Sequence, residues 1–151
     1  MKKIEHQYFG QLNLATTDDV EVIWEKEIHG VNACLWFDKN VELPAGILEL
    51  YAEFLENIDG KIQEARKALI AYLQNDRWYI DFHIEECRLE DLPRDITEFV
   101  TKMTITNVGL WIVDEEPHIT MDFMIAPDKS DEILCVNFGG DAKIISIDWE
   151  S

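Results

Sequence analysis

Hydrophobic residues between Pro44 and Asn75 recur at steps of three or four, the spacing of one face of an α-helix. Asp59-Gly60 interrupts this stretch, and glycine costs about 1 kcal/mol in a helix interior. We therefore predict two helices with a tight joint there. A single kinked helix is the alternative, because the stripe stays in phase across the joint. Its members are Ile47, Tyr51, Phe54, Ile58, Ile62, Ala65, Leu69 and Tyr72.

Before Pro44 the hydrophobic pattern has a period of two, which is typical of β-strands. Gln7 to Leu14 is predicted to be a first strand, broken or bulged near Gly10. Val20 to Ile28 is predicted as a second strand that joins the third through a two-residue turn at His29-Gly30. The second strand is expected to place Val20, Val22, Trp24 and Ile28 on one face. In the third strand Val31, Ala33, Leu35 and Phe37 share a face, which leaves Trp36 and Asp38 on the other.

The segment after the stripe is ambiguous between helix and strand. Ile80, Phe82 and Ile84 alternate as in a strand, but the acidic residues around them and the short distance from the previous helix favour a third helix over Arg77 to Leu89. A further short helix is predicted from Asp95 to about Lys102.

From Thr104 the period of two returns, and four strands with short turns predict an antiparallel meander. Alternation places Trp111, Asp122, Ser146 and Asp148 away from the helices, and Ile145, Ile147 and Trp149 toward them. We predict one α+β domain over residues 1–151. It has an antiparallel sheet of about six to seven strands with two or three helices packed on one face.

The net charge limits the classes of molecule that this protein is expected to bind. The net charge is −18, and residues 104–151 carry −8 of it. Such a surface repels nucleic acid and anionic membranes, and it would steer a basic protein toward itself. The alternative is that the acidic surface only keeps the protein soluble. No signal peptide and no apolar run of about 18 residues is present, so a cytoplasmic location is expected.

The sheet face away from the helices is the predicted binding surface. Aromatic side chains among acids, on a face without a second layer of helices, have the composition of a protein-binding patch. The alternative is that the N-terminal strands cover this face and make its tryptophans part of the core. The predicted binding residues are Trp36, Asp38, Trp111, Asp122 and Asp148.

The sequence supports catalysis or metal binding less strongly than it supports a protein-binding surface. His83 and Cys87 are four residues apart and would share a face of a helix, with Glu86 nearby, but metal sites usually need three or four ligands. Nothing in the sequence places Asp122 and Asp148 within reach of each other as an acid–base pair. We expect no enzyme, no metal and no cofactor. A small-molecule or metal-dependent enzyme with a site near His83, Glu86 and Cys87 is the alternative function.

Three segments of the chain resemble a widespread bacterial family of small acidic proteins, a conserved domain of unknown function. The most specific are Met121 to Ile125 with Ser130 to Phe138, and the ending Ile144 to Ser151; Tyr79 to Glu86 is similar to the middle section of that family, which is helical there. The resemblance implies a stand-alone cytosolic protein. It also implies a role in immunity, because some relatives are immunity proteins of polymorphic toxin systems, and it supplies no catalytic residues.

Overall fold

The computed structural model describes residues 2–151. The strands in this range are β1 Lys3–His6, β2 Gly10–Asn13, β3 Val20–Ile28, β4 Val31–Asp38, β5 Thr104–Val113, β6 Glu116–Met124, β7 Ile133–Phe138 and β8 Ile144–Glu150. The helices are α1 Ala45–Glu56, α2 Ile58–Asn75, α3 Trp78–Asp81 and α4 Ile96–Lys102, and a π-helical turn, Phe82–Glu86, continues α3. No helix in the described range is both long and apolar enough to span a membrane.

Strands β3 to β8 form one six-stranded sheet in sequence order. All neighbouring pairs are antiparallel except β4 and β5, which are parallel with Cys34 opposite Gly109. The parallel pair follows from the helices, since the chain crosses the sheet through α1 to α4 before β5 begins. The predicted α+β class is therefore confirmed, and the sheet differs from the prediction by this one parallel pair.

The helices lie on one face of the sheet, which we call the inner face. The Phe54 ring of α1 and the Phe138 ring of β7 form a T-shaped pair with a centroid distance of 4.9 Å. The Tyr51 hydroxyl donates a hydrogen bond to the backbone carbonyl of Trp111, and Lys61 Nζ donates to the carbonyl of Ala142 at 3.0 Å. The amphipathic stripe thus faces the sheet, as its spacing predicts.

The joint between the two long helices lies at Asn57, earlier than the predicted Asp59-Gly60. Asn57 leaves helical geometry, with φ −107° and ψ 26°, and its side-chain Nδ2 donates to the carbonyl of Glu53 at 2.8 Å. Gly60 lies inside α2, and the Asp59 carboxylate is held by His29 Nδ1 at 3.0 Å. An asparagine that satisfies the last carbonyls of α1 marks the joint better than the glycine does.

The N-terminal segment differs from the prediction of a single strand over Gln7 to Leu14. A turn over residues 7–9 separates β1 from β2, and Gly10 has a φ of +72°. His6 Nε2 lies 2.7 Å from Glu49 Oε1 of α1, and the Phe9 ring packs against Trp24 at 4.7 Å. This hairpin therefore sits on the inner side, against α1 and the edge of β3.

Two register shifts change which side chains face the helices. The pairing of β3 with β4 shifts between Val22 and Trp24, so Val20 and Val22 lie opposite Asp38 and Trp36. This contradicts the prediction that the two valines share a face with Trp24. A second shift, between Asn137 and Phe138 of β7, leaves Ile145 of β8 62% exposed, where the prediction placed it inward. One extra residue reverses every side chain beyond it.

Candidate functional site

The sheet face away from the helices, which we call the outer face, is partly open to solvent. On β6 the inner residues Ile119, Met121 and Phe123 are fully buried, whereas the outer residues Thr120 and Asp122 are only half-buried. Val20 is 45% exposed and Val113 is 47% exposed on the same face. Because the hairpin packs on the inner side, the N-terminal strands do not cover the tryptophans of this face.

All five predicted binding residues lie on the outer face, but they form two groups. Trp36, Asp38 and Trp111 lie toward one end of the strands, and Asp122 and Asp148 lie toward the other. On β6, His118 is opposite Trp111, and Asp122 follows it by four residues. At about 3.3 Å per residue, the two groups are roughly 13 Å apart along the strands.

The first group is a stacked pair of tryptophans. The rings of Trp36 and Trp111 are 4.6 Å apart between centroids and 7° from parallel. Trp111 Nε1 donates to Thr120 Oγ1 at 3.2 Å. A Cβ on Gly109 would lie 2.3 Å from that same Nε1, so only glycine leaves room for the Trp111 indole across the sheet. The stack is thereby held in one orientation.

Trp36 has an unsatisfied polar atom. Its indole Nε1 is buried and has no hydrogen-bond partner within the described residues. A buried donor without a partner costs about 1–3 kcal/mol, so this indole lowers the stability of the fold relative to a fully satisfied side chain. Such a group needs an explanation, and a role outside the fold is one.

A surface pocket of about 120 Å³ opens beside the tryptophan pair. Asp38 supplies its one carboxylate, and the Oδ1 atom of Asp38 accepts the backbone N–H of Asn40 at 2.9 Å. The neighbouring Lys39 is paired with Asp19 at 3.2 Å. The pocket is lined by Val20, Trp36, Phe37, Asp38, Val41, Trp111 and Ile112.

The second group is a cluster of carboxylates around a thiol, and we call it the acidic cluster: Asp122, Cys135, Asp148 and Glu150. Cys135 lies opposite Asp122 on one side and Asp148 on the other. Asn137 Nδ2 donates to Asp148 Oδ2 at 2.9 Å and its Oδ1 lies 3.0 Å from His118 Nε2. The Asn137 amide therefore orients Asp148 without neutralising it, and His118 contacts the same amide.

Burial raises the pKa values of three groups in the acidic cluster, Asp122, Cys135 and Glu150, and nearby negative charges add to the rise for Cys135 and Glu150. Burial raises the pKa of Asp122, and a hydrogen bond from the Cys135 thiol offsets part of that rise. Burial and the charges of Asp122 and Asp148 raise the pKa of Glu150, and burial followed by repulsion from Asp122 raises the pKa of Cys135. Each shift disfavours the charged form at this place.

No lysine, arginine or histidine among residues 2–151 forms an ion pair with Asp38, Asp122, Asp148 or Glu150. One ligand atom from each of Asp122, Cys135 and Glu150 lies within 4.8 Å of the other two. Two carboxylates and a thiol are ligands that a divalent cation can use, although closed structural zinc sites use four protein ligands. The outer face thus presents uncompensated negative charge at both ends.

The residues of the alternative enzyme site are placed differently. His83 is fully buried, with Nδ1 2.7 Å from the Tyr79 carbonyl and Nε2 2.8 Å from Ser130 Oγ. Burial lowers the pKa of His83, so the ring is neutral, donating to Tyr79 and accepting from Ser130. Both ring nitrogens of His83 therefore have hydrogen-bond partners. Cys87 comes directly after the π-helical turn, and its backbone N–H donates a hydrogen bond to the Phe82 carbonyl. His83 thus ties α3 to the loop before β7.

Sequence reasoning did not identify the roles of several residues of the outer face, namely Val20, Gly109, Cys135, Asn137 and Glu150. Alternation along β7 and β8 carried the signal for the last three. Val20 depended on the register shift in β3, and Gly109 depended on the direction of the Trp111 ring, neither of which the pattern contains.

The chain matches no protein-family model, no curated protein and no solved structure. The site is therefore interpreted from its own geometry and charge.

Proposed function

We propose that this protein is an acidic binding protein that captures a basic protein partner on the outer face of its sheet. The observation that carries the proposal is the stacked tryptophan pair on an uncovered face, with unpaired carboxylates at both ends. Interface hot spots are enriched in tryptophan, and charges around such an anchor supply steering and specificity.

In its sharpest form, the proposal is that binding neutralises the partner, as an immunity-type inhibitor neutralises a basic nuclease toxin. The net charge of −18 supports a basic partner, since an acidic surface attracts such a protein over distances of about one Debye length. The resemblance to a family with relatives among immunity proteins supports the inhibitory role.

The test is affinity capture at low salt with three forms of the chain: the wild type, Trp36→Ala/Trp111→Ala and Trp78→Ala. Trp78 is 51% exposed on α3, so it controls for the loss of an exposed indole elsewhere. A basic protein that is captured by the wild type is then purified, and its Kd and activity are measured in the presence of each form.

We expect the wild type and Trp78→Ala to bind and inhibit the partner equally. Removal of a hot-spot indole costs about 2 kcal/mol, so the double variant should bind at least roughly 30-fold more weakly. Binding should also weaken as salt is raised. If the double variant is folded and binds as tightly as the wild type, the outer face is not the interface.

A further inference from the structure

The pocket beside the tryptophan pair combines two features that a cation recognises. Its walls include the stacked indoles of Trp36 and Trp111, and its one charged group is the Asp38 carboxylate. Aromatic faces attract cations through the ring quadrupole, and the neighbouring carboxylate adds a direct charge.

The carboxylate has capacity for a new partner. Asp38 Oδ1 accepts the N–H of Asn40, which fixes the plane of the carboxylate, and Oδ2 has no hydrogen-bond partner among residues 2–151. The nearest cation in the sequence, Lys39, is held by Asp19. The positive group that fits here must therefore come from outside the fold.

The pocket is small, at about 120 Å³, which suits the end of one side chain. A guanidinium has four heavy atoms and is planar, so it can lie flat on an indole while its N–H groups reach a carboxylate. A lysine ammonium is more strongly hydrated and cannot stack in this way.

A second copy of this chain is a poor source of the group, because two chains of charge −18 repel each other. Resting on the proposed function, we infer that the pocket formed by Val20, Asp38 and the tryptophan pair receives one arginine side chain of the basic partner. The guanidinium lies against the indoles and donates to Asp38 Oδ2, which makes this arginine the anchor of the complex.

The inference is tested with three blocked tripeptides, acetyl-Ala-Xaa-Ala-amide, in which Xaa is arginine, lysine or citrulline. Citrulline has the shape of arginine without its charge. Each peptide is titrated into the ¹⁵N-labelled full chain at low salt, and the indole N–H signals are followed by NMR. The signals of Trp24, Trp78 and Trp149 are internal controls, since these residues lie outside the pocket.

We expect the arginine peptide to shift the signals of Trp36 and Trp111 saturably, with binding at least fivefold tighter than that of the lysine peptide and no saturation with citrulline. Asp38→Asn should abolish saturation by the arginine peptide, because it keeps the Oδ1 acceptor for Asn40 and removes the charge. Asp128→Asn, which removes one charge from an exposed turn outside the pocket, should leave the titration within twofold of the wild type.

Equal shifts with arginine and citrulline would overturn the inference, and so would an unchanged titration in Asp38→Asn or the absence of any shift with arginine. The captured partner separates this failure from failure of the proposed function. If Trp36→Ala/Trp111→Ala abolishes partner binding but Asp38→Asn does not weaken it, the outer face is the interface and the arginine anchor is wrong.

Discussion

Polar groups on the two faces of the sheet differ in whether hydrogen bonds or opposite charges satisfy them. On the helix side, the Tyr51 hydroxyl and both ring nitrogens of His83 have hydrogen-bond partners. On the outer face, Trp36 Nε1 is buried without a partner among the described residues, and burial raises the pKa of Asp122 without a nearby base. The inner side is organised for stability, whereas the outer face keeps groups that lower it.

This difference has a physical meaning. Burying an unpartnered donor or an uncompensated charge lowers stability, so a surface that retains several such groups is not optimised for folding alone. Natural proteins accept such costs where a surface binds or reacts. The comparison therefore supports the outer face as the functional one, independently of any named partner.

The comparison is tested most strongly by truncating neighbouring residues on opposite faces of β6. Phe123 is fully buried beneath the Arg66 guanidinium, which lies 5.3 Å from its ring centroid. We expect Phe123→Ala to lower the free energy of unfolding by about 3–5 kcal/mol in urea denaturation. Met124→Ala, on the outer face, should lower it by less than about 1.5 kcal/mol. Equal losses would mean that the outer face is packed as tightly as the inner one.

Gly109→Ala tests the support of the tryptophan pair. The new methyl group would lie 2.7 Å from Thr120 Oγ1 as well as against the Trp111 indole, so the ring must move. We expect a loss of about 1–3 kcal/mol in unfolding free energy and a reduced circular-dichroism signal from the stacked indoles. Gly60→Ala is the control, because it adds a methyl group within α2 where no atom lies within 4 Å. An unchanged indole signal in Gly109→Ala would show that the stack does not depend on this glycine.

His83→Gln tests how protein stability depends on pH through a buried group on the inner side. Because the folded state depresses the pKa of His83 below 6.5, the unfolded chain binds the proton first as pH falls. The contribution of His83 to the free energy of unfolding is therefore complete above about pH 6.5 and is lost as the pH falls below that value. We expect His83→Gln, whatever its absolute stability, to show a shallower fall in urea midpoint between about pH 7 and pH 5. Parallel curves would exclude His83 as the source.

Asp122→Asn tests the opposite pH dependence on the outer face. The raised pKa of Asp122 means that the folded state binds this proton more tightly than the unfolded chain, so the group destabilises the fold once pH rises through the folded pKa. We expect the variant to be more stable than the wild type at pH 7, by up to about 1 kcal/mol, with the gain shrinking in acid. Asp128→Asn, in an exposed turn, changes the net charge equally and should show little gain. A destabilised Asp122→Asn would mean that the carboxylate supports the fold.

Much of this architecture follows from local pattern. The stripe from Ile47 to Tyr72 fixes a helical layer, and alternation from Thr104 fixes the meander β5 to β8, because buried faces demand these periods wherever the elements lie. Alternation also assigned Trp36, Trp111, Asp122 and Asp148 to the same face. The preference for helix over strand after Arg77 is confirmed, although its end is a π-helical turn that the pattern does not show.

The remaining features depend on single residues whose effect is read only in the assembled sheet. The shift near Ile23 brings Val20 beside Asp38, and the shift after Asn137 exposes Ile145. A shift of one residue changes little in local sequence preference but reverses the side chains beyond it. The parallel pairing of β4 and β5 likewise depends on how the helices cross the sheet.

By itself, the sequence determined that this protein has a sheet covered by helices on one face and carries a charge of −18. It also determined which tryptophans and carboxylates point away from those helices, since side-chain direction alternates along a strand. Only the tertiary structure decided that Trp36 and Trp111 stack with Asp38 beside them, about four residues of strand away from the acidic cluster. Stacking, pocket shape and unpaired charge depend on distances between residues far apart in the chain, and these distances are set by strand register.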